Sequence, residues 1–320
     1  MVQNKKTSPY KRIYPWLKWI FSIVSVYFFW KQVQGLEGYL LSDIWHKIID
    51  HWFLLCVIII LALVNWNAEA QKFKLLIKSE IKLSNLRAFL TILGGMAISN
   101  FTPVRTGEYI GRGLLLKSIH PVKVIIATVI GNIAQVLMTY SLGLICLAGV
   151  LLFTDMGSAL PGLSKIWIVL AVFLLILLVV FNAKRILKFV KKHLPSILAK
   201  TFKLIKKYDR KLFTKVVGIA FLRYCAFAIQ FYLLLQLFSG FVVPVYGLAF
   251  IPVAYLLQSI APVPAISDVG VRVAVSQLLF GSYLTDNAIL QAVTSLWFIN
   301  LIFPGLIGTF YLLFSTIRGK

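Results

Sequence analysis

Arg105, Glu108 and Arg112 stand within thirteen residues, Asn100-Phe-Thr-Pro-Val-Arg-Thr-Gly-Glu-Tyr-Ile-Gly-Arg, that have apolar sequence on both sides. A second stretch repeats the pattern: Asp268 and Arg272 are four residues apart, as are Glu108 and Arg112. Pro103 precedes Thr106 by three residues and Pro264 precedes Ser267 by three. A guanidinium group is a planar, permanently charged fork that grips phosphate through two parallel hydrogen bonds. The plainer alternative is an acid and a base four apart on a helix that only neutralise each other. Arg105 has no such local partner. Arg223 is a further charge inside an apolar run, placed to serve a site, to reach the interface, or to pair with Asp268.

These residues need elements that break inside a membrane. The apolar run Leu86 to Ser99 is too short to cross a bilayer, which takes about 20 residues of helix. Interrupted backbone at that depth is tolerated only within protein or beside a wet cavity. Charges there cost about 2.5–3.5 kcal/mol each on insertion scales and mark a pathway or a site. Pro103 and Gly107 supply the first break; Pro262, Pro264 and Gly270 supply the second. Thr106 and Ser267 are expected to cap half-helices whose N-termini favour anions such as phosphate.

Composition bounds the rest. The chain has 320 residues, 60% of them hydrophobic, which excludes an ordinary soluble domain and leaves no room for a sizeable soluble catalytic one. A net charge of +23 could suggest nucleic acid. Its bases, however, collect in short loops between apolar runs, which is the pattern of cytoplasmic loops. Cys56, Cys146 and Cys225 lie in separate apolar runs and the four histidines are scattered, so neither a disulfide framework nor a metal site is expected. No cofactor is expected either.

The expected fold is an all-α polytopic membrane protein forming one domain over residues 1–320. An uncleaved first helix spans Ile13 to Val33, and a second runs from His51 to about Ala68, followed by a loop with Lys72, Lys74, Lys78, Lys82 and Arg87. After the first broken segment comes an apolar run from Lys123 to Phe153, with Asn132 and Gln135 turned toward protein. Then follow a helix over Lys165 to Phe181, a basic amphipathic cytoplasmic linker over 184–211, and a helix from Leu212 to Phe238. The second broken segment and a last helix, Asp286 to Phe314, complete the chain. Treating each broken segment as a re-entrant hairpin gives six full crossings. It also puts 26 of the 33 bases inside, with Arg105, Arg112, Arg223 and Arg272 within the membrane. Residues 1–153 and 165–320 then form two halves of an inverted repeat, with both termini cytoplasmic and the chain in the inner membrane. Paired interrupted segments at matching places in two halves point to a transporter's binding site.

At these residues the chain resembles the transmembrane domain of the lysylphosphatidylglycerol synthase/flippase family. The matching motif is Asn100-x-x-Pro103-x-Arg105-x-Gly107-Glu108-x-x-x-Arg112, joined by Pro262-x-Pro264 and Gly270-Val271-Arg272. Ile266-Ser267 and Val273 stand where many relatives carry a glycine pair and an acid, and Asp268 is a stand-in for that acid. The resemblance implies a membrane domain, here without an aminoacyltransferase domain, that moves lipid between leaflets with Arg105, Glu108, Arg112 and Arg272 near its path. The expected function is therefore a flippase for a phosphate-bearing lipid, a phospholipid or a polyprenyl-linked one, and not an enzyme. Its substrate-binding residues are Asn100, Arg105, Glu108, Arg112, Arg223, Asp268 and Arg272. Its partners are anionic membrane lipids, with a partner synthase or a second copy of the chain also admitted and nucleic acid excluded. Two other readings stand beside it. One is an intramembrane transferase with Glu108 or Asp268 as base; the other is a non-transporting subunit whose basic loop recruits an enzyme.

Overall fold

The computed structural model describes residues 47, 49–100, 102, 106–116, 118–153, 209–240, 243–259 and 268–317. The expected helices over Ile13 to Val33 and Lys165 to Phe181 lie outside these residues. So do nearly all of the basic linker and Pro103, Arg105, Pro262, Pro264 and Ser267. The described residues are helical, with no strand among them. The helices are α1 (Trp52–Ile77), α2 (Asn85–Ser99), α3 (Gly107–Leu115), α4 (Pro121–Phe153), α5 (Arg210–Ser239), α6 (Phe250–Gln258), α7 (Asp268–Phe280), α8 (Asp286–Trp297) and α9 (Phe303–Ile317). A 3-10 turn over Val245–Ala249 leads into α6, and a π-turn over Phe298–Ile302 joins α8 to α9.

Among the described residues, four stretches are long and apolar enough to cross a membrane: Trp52–Ile77, Pro121–Leu152, Arg210–Ser239 and Asp286–Leu312. Their outer faces carry large exposed apolar side chains, among them Phe53, Ile60, Leu137, Phe221 and Phe310, which suits contact with lipid tails. α4 runs unbroken through Gly131 for 33 residues. That is about 50 Å of helix against a hydrocarbon core of about 30 Å, so it must tilt or protrude. Local chemistry fixes several ends. Ser84 accepts from Arg87 N–H at the start of α2, and Thr285 accepts from Ala288 N–H at the start of α8. Gly240, at φ 73°, closes α5 in the left-handed conformation that glycine adopts without penalty.

One expected boundary is wrong. α1 continues past Ala68 to Ile77, and Lys72 lies inside it with 1% of its surface exposed rather than in a basic loop. Its burial is specific: a Cβ built on Gly131 of α4 would come 3.1 Å from Lys72 Cε, so the glycine leaves the slot that the lysine stem fills.

α2 and α3 fold back on each other. A side chain at Gly107 would meet Ile98, and one at Gly111 would meet Gly94 and Gly95, so the two helices run antiparallel across a seam of glycines. α6 and α7 form a comparable pair. The Phe250 ring packs edge-on to Phe280 at 5.7 Å, so the start of one arm lies at the end of the other. The first arm of each pair packs on a distant long helix. α2 lies on α9, where a side chain at Gly308 would strike the Leu93 carbonyl. α6 lies on α4, where one at Gly143 would strike Leu256 and the Pro252 carbonyl.

α1 and α5 are packed along each other at the centre. Two apolar cores sit along them. One gathers Ile58 of α1 with Phe231, Leu235, Phe250, Val273, Phe280 and Ile289. The other gathers Phe73, Leu76, Ala88, Ile92, Leu116, Val124, Val216 and Ala220. Asn65 and Glu69 of α1 and Arg223 of α5 fall between the two.

Candidate functional site

That intervening belt is where the charges meet. Glu69 is its hub. Its Oε1 accepts from Arg112 Nη2 at 2.9 Å, and its Oε2 lies 2.7 Å from Arg223 Nη1 and 2.5 Å from Lys72 Nζ. Glu69 stands about 12 Å along α1 from Ile77, at 1.5 Å per residue. Three cations from three helices converge on one carboxylate that the sequence reading placed at a helix end and passed over.

Arg112 is packed on every side. It also bonds Glu108, one turn back on α3, as the spacing implied, and Nη1 reaches Thr128 Oγ1 of α4 at 3.4 Å. The Phe73 ring lies 4.8 Å from the guanidinium carbon, a cation–π contact that replaces part of the lost hydration. A Cβ on Gly95 would sit 3.0 Å from Arg112 Cγ, so any larger residue there would press on the arginine stem.

Arg223 is held differently. Its Nε donates to Asn65 Oδ1 at 2.8 Å, and Nη1 is shared between Glu69 and Gln135 of α4. It pairs with Glu69 and not with Asp268. Gln135 thus does face protein, as expected for a polar residue within that apolar run. From Asn65 an amide chain continues. Its Nδ2 donates to Asn300 Oδ1 at 2.8 Å, Asn300 Nδ2 donates to Gln230 Oε1 at 2.8 Å, and Gln230 Nε2 donates to the Ile58 carbonyl at 3.1 Å. Asn300 sits in the π-turn, a wider helical turn that recurs at functional sites. Asn100 reaches the same turn, where its Nδ2 donates to the Leu301 carbonyl at 2.9 Å.

The second acid–base pair forms as its spacing implied and stays local. Asp268 Oδ2 takes Arg272 Nε at 2.7 Å and Nη2 at 2.6 Å. The two expected caps differ from expectation in one described case. Thr106 occupies the N-cap position of α3, yet the oxygen that accepts Gly107 N–H is Thr102 Oγ1 at 2.6 Å. Thr106 is itself in helical backbone conformation, with ψ −24°, rather than the extended one usual at an N-cap, and its side chain makes no capping bond.

The expected site residues therefore divide. Glu108, Arg112 and Arg223 come together, and Glu69, Lys72, Asn65, Gln135 and Thr128 join them. Asp268 and Arg272 make a separate pair, and Asn100 serves the π-turn. Gly107 and Gly270 lie at the starts of α3 and α7, where the broken segments resume.

An ion cluster lies between two apolar cores, beside a broken hairpin, and the sequence around it matches a known family over most of its length. Residues 16–310 match the family described as the lysylphosphatidylglycerol synthase TM region. The chain belongs to that family. No curated protein matches the chain. Membership fixes a membrane domain, in agreement with the four apolar spans among the described residues, and the matched region includes every residue of the ion cluster.

Proposed function

We propose that this member of the family is a transporter of the inner membrane that moves a phosphate-bearing lipid between leaflets. The lipid is a phospholipid or a polyprenyl-linked lipid. One observation carries the reading: Glu69, Lys72 and Arg223, on helices long enough to span the bilayer, form an ion cluster with Arg112 of the short helix α3. Such a cluster costs several kcal/mol per desolvated ion and persists in membranes where a polar cargo must pass.

In this reading the chain is an inverted repeat with six full crossings, and the packing of the described helices suits the repeat. α1 and α5 pair at the centre, and each hairpin's first arm lies on the last long helix of the other half. Interrupted helices at the interface of inverted halves are where transporters bind cargo. Under this reading Glu108 and Asp268 hold arginines in place, and the chain catalyses no covalent step. In this reading Lys74 and the Lys123–Glu80 pair lie at the cytoplasmic end of α1 and α4, on the side proposed for the termini and the basic linker. A lipid-modifying synthase on that side is the partner that would supply cargo.

The test is reconstitution into liposomes with leaflet-resolved phospholipid and polyprenyl-phosphate probes. Wild type should accelerate exchange of one probe class, and Arg105→Ala and Glu108→Ala should abolish it. Folded wild-type protein that moves neither class would end the transport reading and favour a non-transporting subunit.

A further inference from the structure

Among the described residues, the charges of the buried belt do not balance. Lys72, Arg112 and Arg223 bring three positive charges, and Glu69 and Glu108 bring two negative ones. We propose that the outward edge of Arg223 is the seat of one phosphate oxyanion of the cargo, which supplies the negative charge missing among the described residues. This rests on the lipid-transport reading and names the group within the cluster that meets the headgroup.

Burial decides which cation can do this. Lys72 and Arg112 are each 1% exposed, and Arg112 is enclosed by Glu69, Glu108, Thr128 and the Phe73 ring. Arg223 is 20% exposed. Its Nε and Nη1 are taken by Asn65, Glu69 and Gln135, and among the described residues no partner meets Nη2. Three hydrogen-bonded neighbours therefore fix the guanidinium plane and leave one donor edge open. A held fork with an open edge is a preorganised receptor for an oxyanion. The Asp268–Arg272 pair lacks this character, since its charges cancel within one turn of α7.

An unbalanced charge in apolar surroundings is costly, and a bound anion relieves it. Two substitutions must then act in opposite directions. Arg223→Gln removes the excess charge and its donor edge; Glu108→Gln doubles the excess.

The experiment is binding to purified protein in neutral detergent, followed by thermal shift and tryptophan fluorescence. Probes are dihexanoyl-phosphatidylglycerol, dihexanoylglycerol as its phosphate-free counterpart, and inorganic phosphate. Wild type should bind the phosphatidylglycerol and not the diacylglycerol. Arg223→Gln should weaken that binding at least tenfold, Arg223→Lys should retain part of it, and Glu108→Gln should tighten it severalfold. Lys123→Gln, at an exposed pair with Glu80, should leave it unchanged. Unaltered phosphatidylglycerol binding in folded Arg223→Gln and Glu108→Gln overturns the proposal. Equal affinity for inorganic phosphate overturns the lipid assignment. The two readings fail separately. Binding that follows these signs, in a protein that exchanges no lipid in liposomes, sinks transport and keeps the oxyanion seat. Exchange that continues in Arg223→Gln with unchanged binding does the reverse.

Discussion

Arg112 and Arg223 hold opposite oxygens of one carboxylate, Arg112 on Glu69 Oε1 at 2.9 Å and Arg223 on Oε2 at 2.7 Å. Glu69 is therefore the joint between the first hairpin and α5. Either arginine can leave without dislodging the other, since each has its own oxygen and its own second partner, Glu108 for Arg112 and Asn65 for Arg223.

Removing that joint strands charge. Glu69→Ala leaves Lys72 buried without a counter-ion and strips Arg112 and Arg223 of a shared one, so a loss of about 3–5 kcal/mol is expected. Glu69→Gln should be nearly as damaging, because it keeps the shape and removes the charge. Melting curves in detergent check both, and a Glu69→Gln protein as stable as wild type would show that the charge is not what holds the cluster.

The glycine seam makes a steric prediction. A Cβ at Gly111 would lie 2.8 Å from Gly95 Cα, so Gly111→Leu must pry α2 from α3. Overpacking of this kind costs about 1–3 kcal/mol. A cysteine pair placed across the seam near Ile98 and Gly107 should crosslink readily in wild type and poorly in the variant.

The amide chain should show coupling. Asn65→Ala and Asn300→Ala each break the bond between Asn65 Nδ2 and Asn300 Oδ1, leaving a buried partner unsatisfied at about 1–3 kcal/mol. The double variant should cost clearly less than the sum, by about 0.5 kcal/mol or more. Strict additivity in a double-mutant cycle would mean the two side chains do not depend on each other.

Lys123→Gln offers the contrast. Its ion pair with Glu80 is partly exposed at the start of α4, and surface pairs contribute about 0–1 kcal/mol. Its melting temperature should stay close to that of wild type, far from the effect at Glu69.

Much of this site was visible in the residues themselves. The breaks near Asn100 and Ser259 follow from proline and glycine among apolar runs. Glu108 and Arg112 bond as two residues one helical turn apart should, and so do Asp268 and Arg272. Glu69 was not visible in the same way. Its partners Arg112 and Arg223 are remote in sequence, and the lysines after it imitate a cytoplasmic loop. One local signal was present: Asn65, Glu69 and Lys72 recur at four- and three-residue steps, which puts a polar stripe on one face of a continuing helix. Arg223 was recognised as a charge out of place, but sequence offered Asp268 as its partner because it could not show which acid α5 lies against.

Lys72 and Gly131 share one volume. The lysine reaches Glu69 because α4 has no side chain where the stem passes, so size at either position is a single quantity divided between two residues. A chain with alanine at 131 would have to move or shorten the residue at 72, and a chain with a smaller residue at 72 would leave a void for 131 to fill. The two positions, on helices separated by the whole first hairpin, are thus coupled in size. Their joint change among related sequences would record the fit more plainly than either position alone.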